Sequence, residues 1–227
     1  MTPAPHKWSG WTWRGRAVGL LGGSFNPAHD GHRHISLWAL KTLGLDYVWW
    51  LVSPQNPLKP ARGMAPLADR LASARKAARH PRIAPTAIES ALGVRYTADT
   101  LAALRRRFPF TRFVWLMGAD NLAQIPKWKT WRRIFETVPI AVFARPGYGV
   151  SALGGLAARR YARRRVAPRC AKGLPGRQPP AWTLMRNPLH PASSTAVRAA
   201  IAAGSKTPGR KKEGPGTDCP GAPFRSV

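Results

Sequence analysis

Three histidines beside a glycine-rich turn are the residues of this chain best suited to chemistry. They lie in the stretch GGSFNPAHDGHRH, residues 22–34. Gly22 and Gly23 would let the backbone approach a ligand closely or adopt a positive φ. A helix predicted to begin near Gly31 would direct free N–H groups and its positive dipole end at the turn. His29 and His32 could there donate hydrogen bonds to phosphate oxygens, so the stretch predicts a phosphate-handling site.

Zinc binding is the alternative for this stretch, because four possible ligands are close in sequence: His29, Asp30, His32 and His34. Their spacing matches no common ligand frame, and no cysteine lies nearby to support one. His34 is expected on the surface of the helix. We therefore expect no metal to be held by these side chains.

The charge balance also bears on which reactions the protein could catalyse. The chain has 37 Lys and Arg but only 9 Asp and Glu, a formal net charge of +28. Such an excess can attract nucleic acid, anionic membranes or phosphorylated small molecules, or it can reflect a basic proteome. Glycosidase chemistry and two-metal centres need paired carboxylates. With so few acids, neither class is expected.

Length and composition indicate one folded α/β core, because the chain has 227 residues and 44% of them are apolar. No run of about 18 uncharged apolar residues is present, so no membrane-spanning helix is expected. The N-terminal stretch has no continuous apolar region typical of a secretory signal. The two cysteines lack metal-ligand spacing, which favours a reduced, cytoplasmic setting.

Short apolar runs alternate with helical patterns between Ala17 and about Gly204. The predicted strands are RAVGLLGG, DYVWWLVS, RIAPTAIE (short or at an edge, because of its proline), RFVWLMG, VPIAVFA and WTLM. The predicted helices are HRHISLWALKTLG, ADRLASARKAARH, YTADTLAALRRRFP with Thr97 as N-cap, KTWRRIFE and SSTAVRAAIAAG. This alternation predicts an open, doubly wound, mostly parallel Rossmann-like α/β sheet with helices on both faces. Ligands of such sheets bind beyond the carboxyl ends of the strands, where the glycine turn would lie.

Several motifs together are specific to one family. GGSFNPAHDGH resembles the signature of the nucleotidyltransferases with a His-x-Gly-His turn, and NPLKP, RYTADTL, MGADNLAQIPKWKTW, FARPGY and SSTAVR follow it in order. This combination resembles the bacterial nicotinate-nucleotide adenylyltransferases from about Ala17 to Gly204. The resemblance implies the nucleotidyltransferase fold and adenylyl transfer from Mg-ATP to nicotinate mononucleotide in NAD biosynthesis. The products would be deamido-NAD and pyrophosphate.

The resemblance also implies roles for individual residues on the ATP side. His29 and His32 would be catalytic, and ATP would be bound by Gly22, Gly23, Ser24, Phe25, Asp120, Ser193, Thr195 and Arg198. These residue types suit the task, because hydroxyls and helix N–H groups can cradle phosphates while Arg198 grips them bidentately. Asp120 follows a predicted strand, where its carboxylate could bind ribose hydroxyls. A simple helix cap remains the alternative at both places.

On the acceptor side, the resemblance implies that nicotinate mononucleotide is bound by Lys59, Tyr96, Thr97, Trp128 and Arg145. Tyr96 and Thr97 would recognise the nicotinate carboxylate, and Lys59 and Arg145 would lie near the phosphate. Trp128 offers a flat face for the ring, and such stacking contributes about 1–3 kcal/mol per base. Without the resemblance, each of these side chains could equally be an ordinary core or surface residue.

The implied mechanism is direct in-line attack of the mononucleotide phosphate on the α-phosphorus of ATP. That phosphate is already anionic at neutral pH, so no side-chain nucleophile is required. Catalysis would come from positioning and from neutralising developing charge. Mg²⁺ would be held mainly by the ATP phosphates and water.

Two other functions remain open at this point. The acceptor could be nicotinamide mononucleotide or pantetheine phosphate. A basic nucleic-acid-binding protein is the alternative of another class, suggested by the net charge and by ARRYARRR. That arginine run contains a single aromatic residue, Tyr161, and no series of base-stacking aromatics, so nucleic acid is not expected as a partner. A membrane is not expected either. The sequence leaves the oligomeric state open.

The predicted organisation is an N-terminal extension (1–15), a nucleotidyltransferase domain (16–204) and a tail (205–227) expected to be disordered. Within the domain, residues 150–180 form a variable insert, expected to begin as a helix and continue as an Arg- and Pro-rich linker. Family members usually continue past the SSTxxR helix with an apolar segment. A polar Pro/Gly/Lys stretch stands there in this chain.

Overall fold

Six parallel strands form the centre of the protein. The computed structural model describes residues 12–54, 63–148, 150–190, 192 and 198. The strands are β1 (Ala17–Gly23), β2 (Tyr47–Val52), β3 (Ile83–Thr86), β4 (Arg112–Gly118), β5 (Ile140–Phe143) and β6 (Trp182–Met185). They lie in the order β3-β2-β1-β4-β5-β6, and every neighbouring pair is parallel. The predicted doubly wound sheet is confirmed, as is the placement of the proline-containing strand β3 at an edge.

Helices cover both faces of this sheet. They are α1 (Asp30–Thr42), α2 (Leu67–Ala78), α3 (Ile88–Ala91), α4 (Thr97–Arg107), α5 (Ala119–Gln124), α6 (Trp131–Thr137) and α7 (Leu156–Arg160). Short 3₁₀ helices occupy Ile125–Lys127, Val150–Gly154, Ala162–Arg164 and Pro168–Gly176. None of the helices in the described ranges is long and apolar enough to cross a membrane.

Alternate strand residues point to opposite faces and build two cores. Trp49 and Leu51 pack on one face against Leu101 and Leu104 of α4. On the other face, Trp50 and Val52 pack with Ile35, Ala39 and Leu40 of α1. Because both faces of a parallel sheet are covered, its strands are continuous apolar runs, which is why the sequence reveals them clearly. Burying one such large side chain stabilises the fold by roughly 1.5–3 kcal/mol.

The strand order places a crevice at the carboxyl ends of β1 and β4. Connections from β1 run outward through β2 to β3, whereas those from β4 run the other way through β5 to β6. The loops after β1 and β4 therefore separate, and a ligand can enter between them. Gly23 ends β1 and Gly118 ends β4.

Two local expectations are wrong. Thr97 is the first residue of α4 and not its N-cap; the cap is Tyr96, whose carbonyl accepts from the N–H groups of Asp99 and Thr100, both at 2.9 Å. The region 150–180 does not end as a linker. Its 3₁₀ helix Pro168–Gly176 buries Ala171 and Leu174 in the core on the α1 face, so small apolar residues among the arginines anchor it. The predicted tail lies outside the described residues.

Candidate active site

The turn after β1 joins the sheet to α1 and places two imidazoles at the start of that helix. Its single non-glycine positive φ is at Phe25 (47°), while Gly22 and Gly23 keep ordinary strand conformations, so of the two alternatives for these glycines positive φ does not apply. Gly22 has a different reason to be glycine. A Cβ there would collide with the indole ring of Trp115 on the neighbouring strand. The absence of a side chain at Gly22 thus leaves room for the Trp115 indole beneath the turn.

His29 and His32 form a reciprocal cap at the start of α1. The Nδ1 atom of His29 accepts a hydrogen bond from the N–H of Gly31 at 3.1 Å. The Nδ1 atom of His32 accepts one from the N–H of His29 at 3.3 Å. In a neutral imidazole whose Nδ1 accepts, the proton is on Nε2. Each ring is therefore held as an Nε2–H donor.

Burial keeps His29 neutral. The residue is 7% exposed, and its desolvation, together with the positive charge of Arg145 and neighbouring His190, lowers the pKa of His29 to about 4; nearby Asp30 has the opposing effect. A neutral ring with Nε2–H can donate to a phosphate oxygen without first losing a proton. This state suits a donor that neutralises charge developing in a transition state.

A stack of aromatic rings fixes the orientation of His32. Its ring lies 3.9 Å from that of His29 and 4.7 Å from that of Phe25, centroid to centroid. Phe25 in turn stacks on Trp50 at 5.1 Å, and the Trp50 indole N–H donates to Ser36 Oγ at 2.7 Å. Phe25 is only 1% exposed, so it supports the imidazoles from within the core.

Asp120 and Arg145 meet across the crevice from these histidines. Asp120 Oδ1 is 3.6 Å from Arg145 Nε, and both atoms are buried without a hydrogen-bond partner among the described residues. Gly118 makes this possible, because a Cβ at that position would collide with the Asp120 carboxylate and approach Arg145 Nε at 2.8 Å. A carboxylate and a guanidinium with unused hydrogen-bonding capacity indicate a place for a polar ligand.

Arg145 lies beside Asp120, and its charge acts on His29, so it is close to two residues assigned to ATP. A tight turn after β5 holds it there, since Arg145 and Tyr148 are joined by backbone hydrogen bonds of 2.9 and 3.4 Å. Arg145 lines a small cavity together with Gly31, His34, Asn187 and His190. His34 is not simply a surface residue, because its Nε2 lies 2.8 Å from the carbonyl oxygen of Pro188.

The last predicted motif reaches the first one. Arg198 donates to the carbonyl oxygen of Asn26 in the glycine turn at 2.7 Å. A Cβ on Gly31 would come within 2.9 Å of the Ala192 carbonyl oxygen, so Ala192 packs directly against the start of α1. Three other predicted ligands lie outside the described residues: Lys59, Ser193 and Thr195.

Three of the residues assigned to the acceptor, Tyr96, Thr97 and Trp128, lie on the α4 side. Tyr96 and Thr97 begin α4 and are partly buried, and Lys129 Nζ lies 4.3 Å from the centre of the Tyr96 ring. Trp128, next to Lys129, is partly buried against the core on this face. The motifs YTADTL and IPKWKTW therefore share one region. Ser24 and Gly23 lie at the end of β1, on the ATP side.

Arg70 is a buried residue at this site that the sequence analysis missed. It is 2% exposed, and its guanidinium donates to four backbone carbonyls: Ala65 at 2.8 Å, Ser24 at 2.8 Å, Ser53 at 2.6 Å and Pro54 at 2.8 Å. It thus ties the glycine turn to the loop after β2. Its burial could have been predicted from spacing, because Arg70, Ala74 and Ala78 are four residues apart and share the buried side of α2.

Comparisons with known proteins agree with this geometry. A family model described as cytidylyltransferase-like matches residues 20–200. A probable nicotinate-nucleotide adenylyltransferase of Cereibacter sphaeroides is 59% identical over 182 residues, covering 80% of this chain and 96% of that protein. Another of the same name, from Ruegeria pomeroyi, is 52% identical over 200 residues, covering 88% and 93%.

A solved structure shares the fold at low sequence identity. Plasmodium falciparum nicotinic acid mononucleotide adenylyltransferase, complexed with NaAD, aligns with a TM-score of 0.59 at 15% identity, covering 81% of this chain and 83% of that chain. This likeness supports the architecture alone. The family model and the relatives extend over most of the chain and confirm the resemblance of the motifs. The chain therefore belongs to the cytidylyltransferase-like family, within the group of nicotinate-nucleotide adenylyltransferases.

Proposed function

We propose that this protein transfers the adenylyl group of ATP to nicotinate mononucleotide, forming deamido-NAD and pyrophosphate. The observation that carries the proposal is the reciprocal cap of His29 and His32, which leaves two Nε2–H donors at the start of α1. The names of its relatives, at 52–59% identity, agree with this reaction.

The reaction needs one bond to form and one to break. A phosphate oxygen of the mononucleotide attacks the α-phosphorus of ATP, and the bond from that phosphorus to the bridging oxygen of the β-phosphate breaks as pyrophosphate leaves. Charge increases on the oxygens around the α-phosphorus and on the leaving group. His29 and His32 would donate to these oxygens, and the N-terminus of the 13-residue helix α1 adds its positive dipole end.

The remaining residues would orient the two substrates. Asp120, with a buried carboxylate oxygen lacking a hydrogen bond in the described structure, would accept from the ATP ribose hydroxyls. Arg198 lies at the glycine turn and would bind the outer phosphates. Tyr96, Thr97 and Trp128 would hold the nicotinate group on the α4 side. Arg145, between these regions and beside Asp120, would contact phosphate.

Mg²⁺ is proposed to arrive with ATP and to supply charge neutralisation on the triphosphate. In the part of the chain that the structure describes, no three His, Cys, Asp or Glu side chains cluster as ligands. This fits an ion held mainly by phosphate oxygens and water. Titrating MgCl₂ at fixed ATP tests the proposal. Turnover should track the concentration of the Mg–ATP complex, and turnover undiminished by excess EDTA would contradict it.

The decisive experiment measures pyrophosphate release from ATP and Mg²⁺ with each acceptor in turn. Nicotinate mononucleotide should give the highest kcat/KM, and mass spectrometry should find deamido-NAD. Parallel reactions with nicotinamide mononucleotide and pantetheine phosphate test the other acceptors. A higher kcat/KM for either of them would overturn the proposed acceptor while leaving adenylyl transfer intact.

We also infer that the enzyme works in the cytoplasm. Support comes from Cys170, an exposed free thiol of a kind that persists in reducing compartments. Fractionation of cells that produce the protein should recover both antigen and activity in the cytoplasmic fraction. Recovery in a membrane or periplasmic fraction would contradict this inference.

A further inference from the structure

Glu89 is a buried carboxyl that the reaction as proposed does not use. It lies on α3 and is 7% exposed. No salt bridge reaches it from any residue that the structure describes, even though the chain carries a large excess of positive charge. A buried carboxyl without a cationic partner is costly to ionise, and such a group commonly has a specific role.

Two hydrogen bonds of Glu89 lead towards the start of α4. Its Oε1 accepts from Thr100 Oγ1 at 2.9 Å, and Thr100 is completely buried. The same hydroxyl lies 3.2 Å from the carbonyl oxygen of Tyr96, the N-cap of α4. The backbone carbonyl of Glu89 accepts from the N–H of Val94 at 3.2 Å. Glu89 therefore holds the segment leading to Tyr96 from two sides.

Glu89 also connects this segment to the sheet. A hydrogen bond to the Ser53 side chain, in the loop after β2, joins the one from Thr100. Burial nevertheless outweighs both bonds and raises the pKa of Glu89 to about 7. At neutral pH a large share of the molecules then carry an uncharged carboxyl behind the N-terminus of α4. An uncharged group there does not oppose an anionic ligand bound in front of that N-terminus.

We propose that Glu89 is a positioning residue for the acceptor, setting the turn at Tyr96 and Thr97 that receives the nicotinate carboxylate. This rests on the proposed function. It acts through Thr100 and the Tyr96 carbonyl and touches neither substrate. The N-terminus of the 11-residue helix α4 favours an anion, and Glu89 fixes the direction in which that N-terminus points.

The test compares steady-state constants for both substrates in four variants. Glu89→Leu removes the acceptor for the Thr100 hydroxyl, and we expect KM for nicotinate mononucleotide to rise about tenfold with KM for ATP within about twofold of wild type. Glu89→Gln keeps an oxygen for Thr100 and should stay near wild type. Thr100→Val should move KM in the same direction as Glu89→Leu, whereas Thr100→Ser should rescue it.

Two controls separate positioning from loss of structure. Glu136→Gln changes an exposed carboxyl on α6 and should alter neither KM. Thermal melting of every variant identifies any that is unfolded. If Glu89→Leu does not fold, the pair Thr100→Val and Thr100→Ser decides the matter, because valine matches threonine in size without the hydroxyl, whereas serine keeps the hydroxyl and loses only the methyl group.

The outcomes are distinct. Equal increases in both KM values, no change in either, or a Glu89→Gln variant as impaired as Glu89→Leu would each overturn the positioning role while leaving the proposed function standing. If wild-type protein neither binds nicotinate mononucleotide in calorimetry nor turns it over, the proposed function and the positioning role both fail. A selective, rescuable rise in KM for the acceptor is the result expected.

Discussion

The N–H of His29 donates to Nδ1 of His32, and Nδ1 of His29 accepts from the N–H two residues ahead. One short motif thus caps a helix and orients the two imidazoles that are proposed to bind phosphate. Replacing either histidine would remove both roles, so a useful variant must separate them.

His29→Asn is such a variant. Asparagine is among the best N-cap residues, so the helix start should survive, but the Nε2–H donor is lost. We expect kcat to fall by about 10²–10³ with a melting temperature near that of wild type. His29→Ala should lose the same activity and also about 1 kcal/mol of stability. His80→Gln, a histidine on the loop before β3, serves as control. A His29→Asn enzyme with normal kcat would contradict the assigned role.

His32→Ala should also abolish most turnover. It removes the second donor and one half of the reciprocal cap, as well as ring contacts with Phe25 and Trp50. The expected loss of stability is about 1 kcal/mol, because a cap and a ring contact are lost together. Pyrophosphate release and circular dichroism melting measure the two effects. A folded variant retaining near-normal turnover would refute the catalytic assignment.

Protonation of His29 should make the stability of the protein depend on pH. Its pKa falls from 6.5 to about 4 on folding, so the unfolded chain binds the proton more readily. The stabilisation from neutral His29 is therefore fully present above pH 6.5 and is lost as the pH falls through 4. NMR titration of the ring should give the low pKa directly, and His29→Asn should flatten this part of the stability profile. A measured pKa near 6.5 would contradict the structural explanation.

Gly118→Ala should damage function more than folding. The added Cβ meets the end of the Asp120 side chain and Arg145 Nε, both of which can move aside. Moving them displaces the carboxylate that is expected to bind ribose. We predict a several-fold rise in KM for ATP with little change in melting temperature. Gly154→Ala, where nothing lies within 4 Å of the new Cβ, is the matched control. An unchanged KM for ATP would argue against this role of Asp120.

Arg70→Met should be strongly destabilising, because four backbone carbonyls would lose a charged donor. Hydrogen bonds to charged groups contribute about 1.5–3 kcal/mol each, without simple additivity. We expect a loss of at least about 3 kcal/mol in urea unfolding, with Arg70→Lys recovering only part of it. Arg75→Met changes an exposed arginine of the same helix and should have little effect. Equal stability of the two methionine variants would show that the loops hold without Arg70.

The sequence was sufficient to predict the elements that depend on residues close together in the chain. The apolar runs gave all six strands, and the proline in β3 indicated its edge position. Arg70 and Glu89 were missed because their importance depends on groups distant in sequence, such as the carbonyl of Ser24 and the hydroxyl of Thr100. The pairing of Arg145 with Asp120 was not predicted for the same reason, since the two residues follow different strands. The roles assigned to individual site residues stay predictions until the variants are assayed.

The hydrogen bond between Arg198 and Asn26 spans 172 residues of chain. During synthesis the glycine turn leaves the ribosome early, yet its partner follows only after β6 has been made. The sheet can begin to assemble vectorially from its first strands, but Arg198, the proposed ligand of the outer phosphates, can reach the turn only later. We therefore expect the nascent chain to be inactive until Arg198 has been made, and ATP to stabilise only chains that have reached this point.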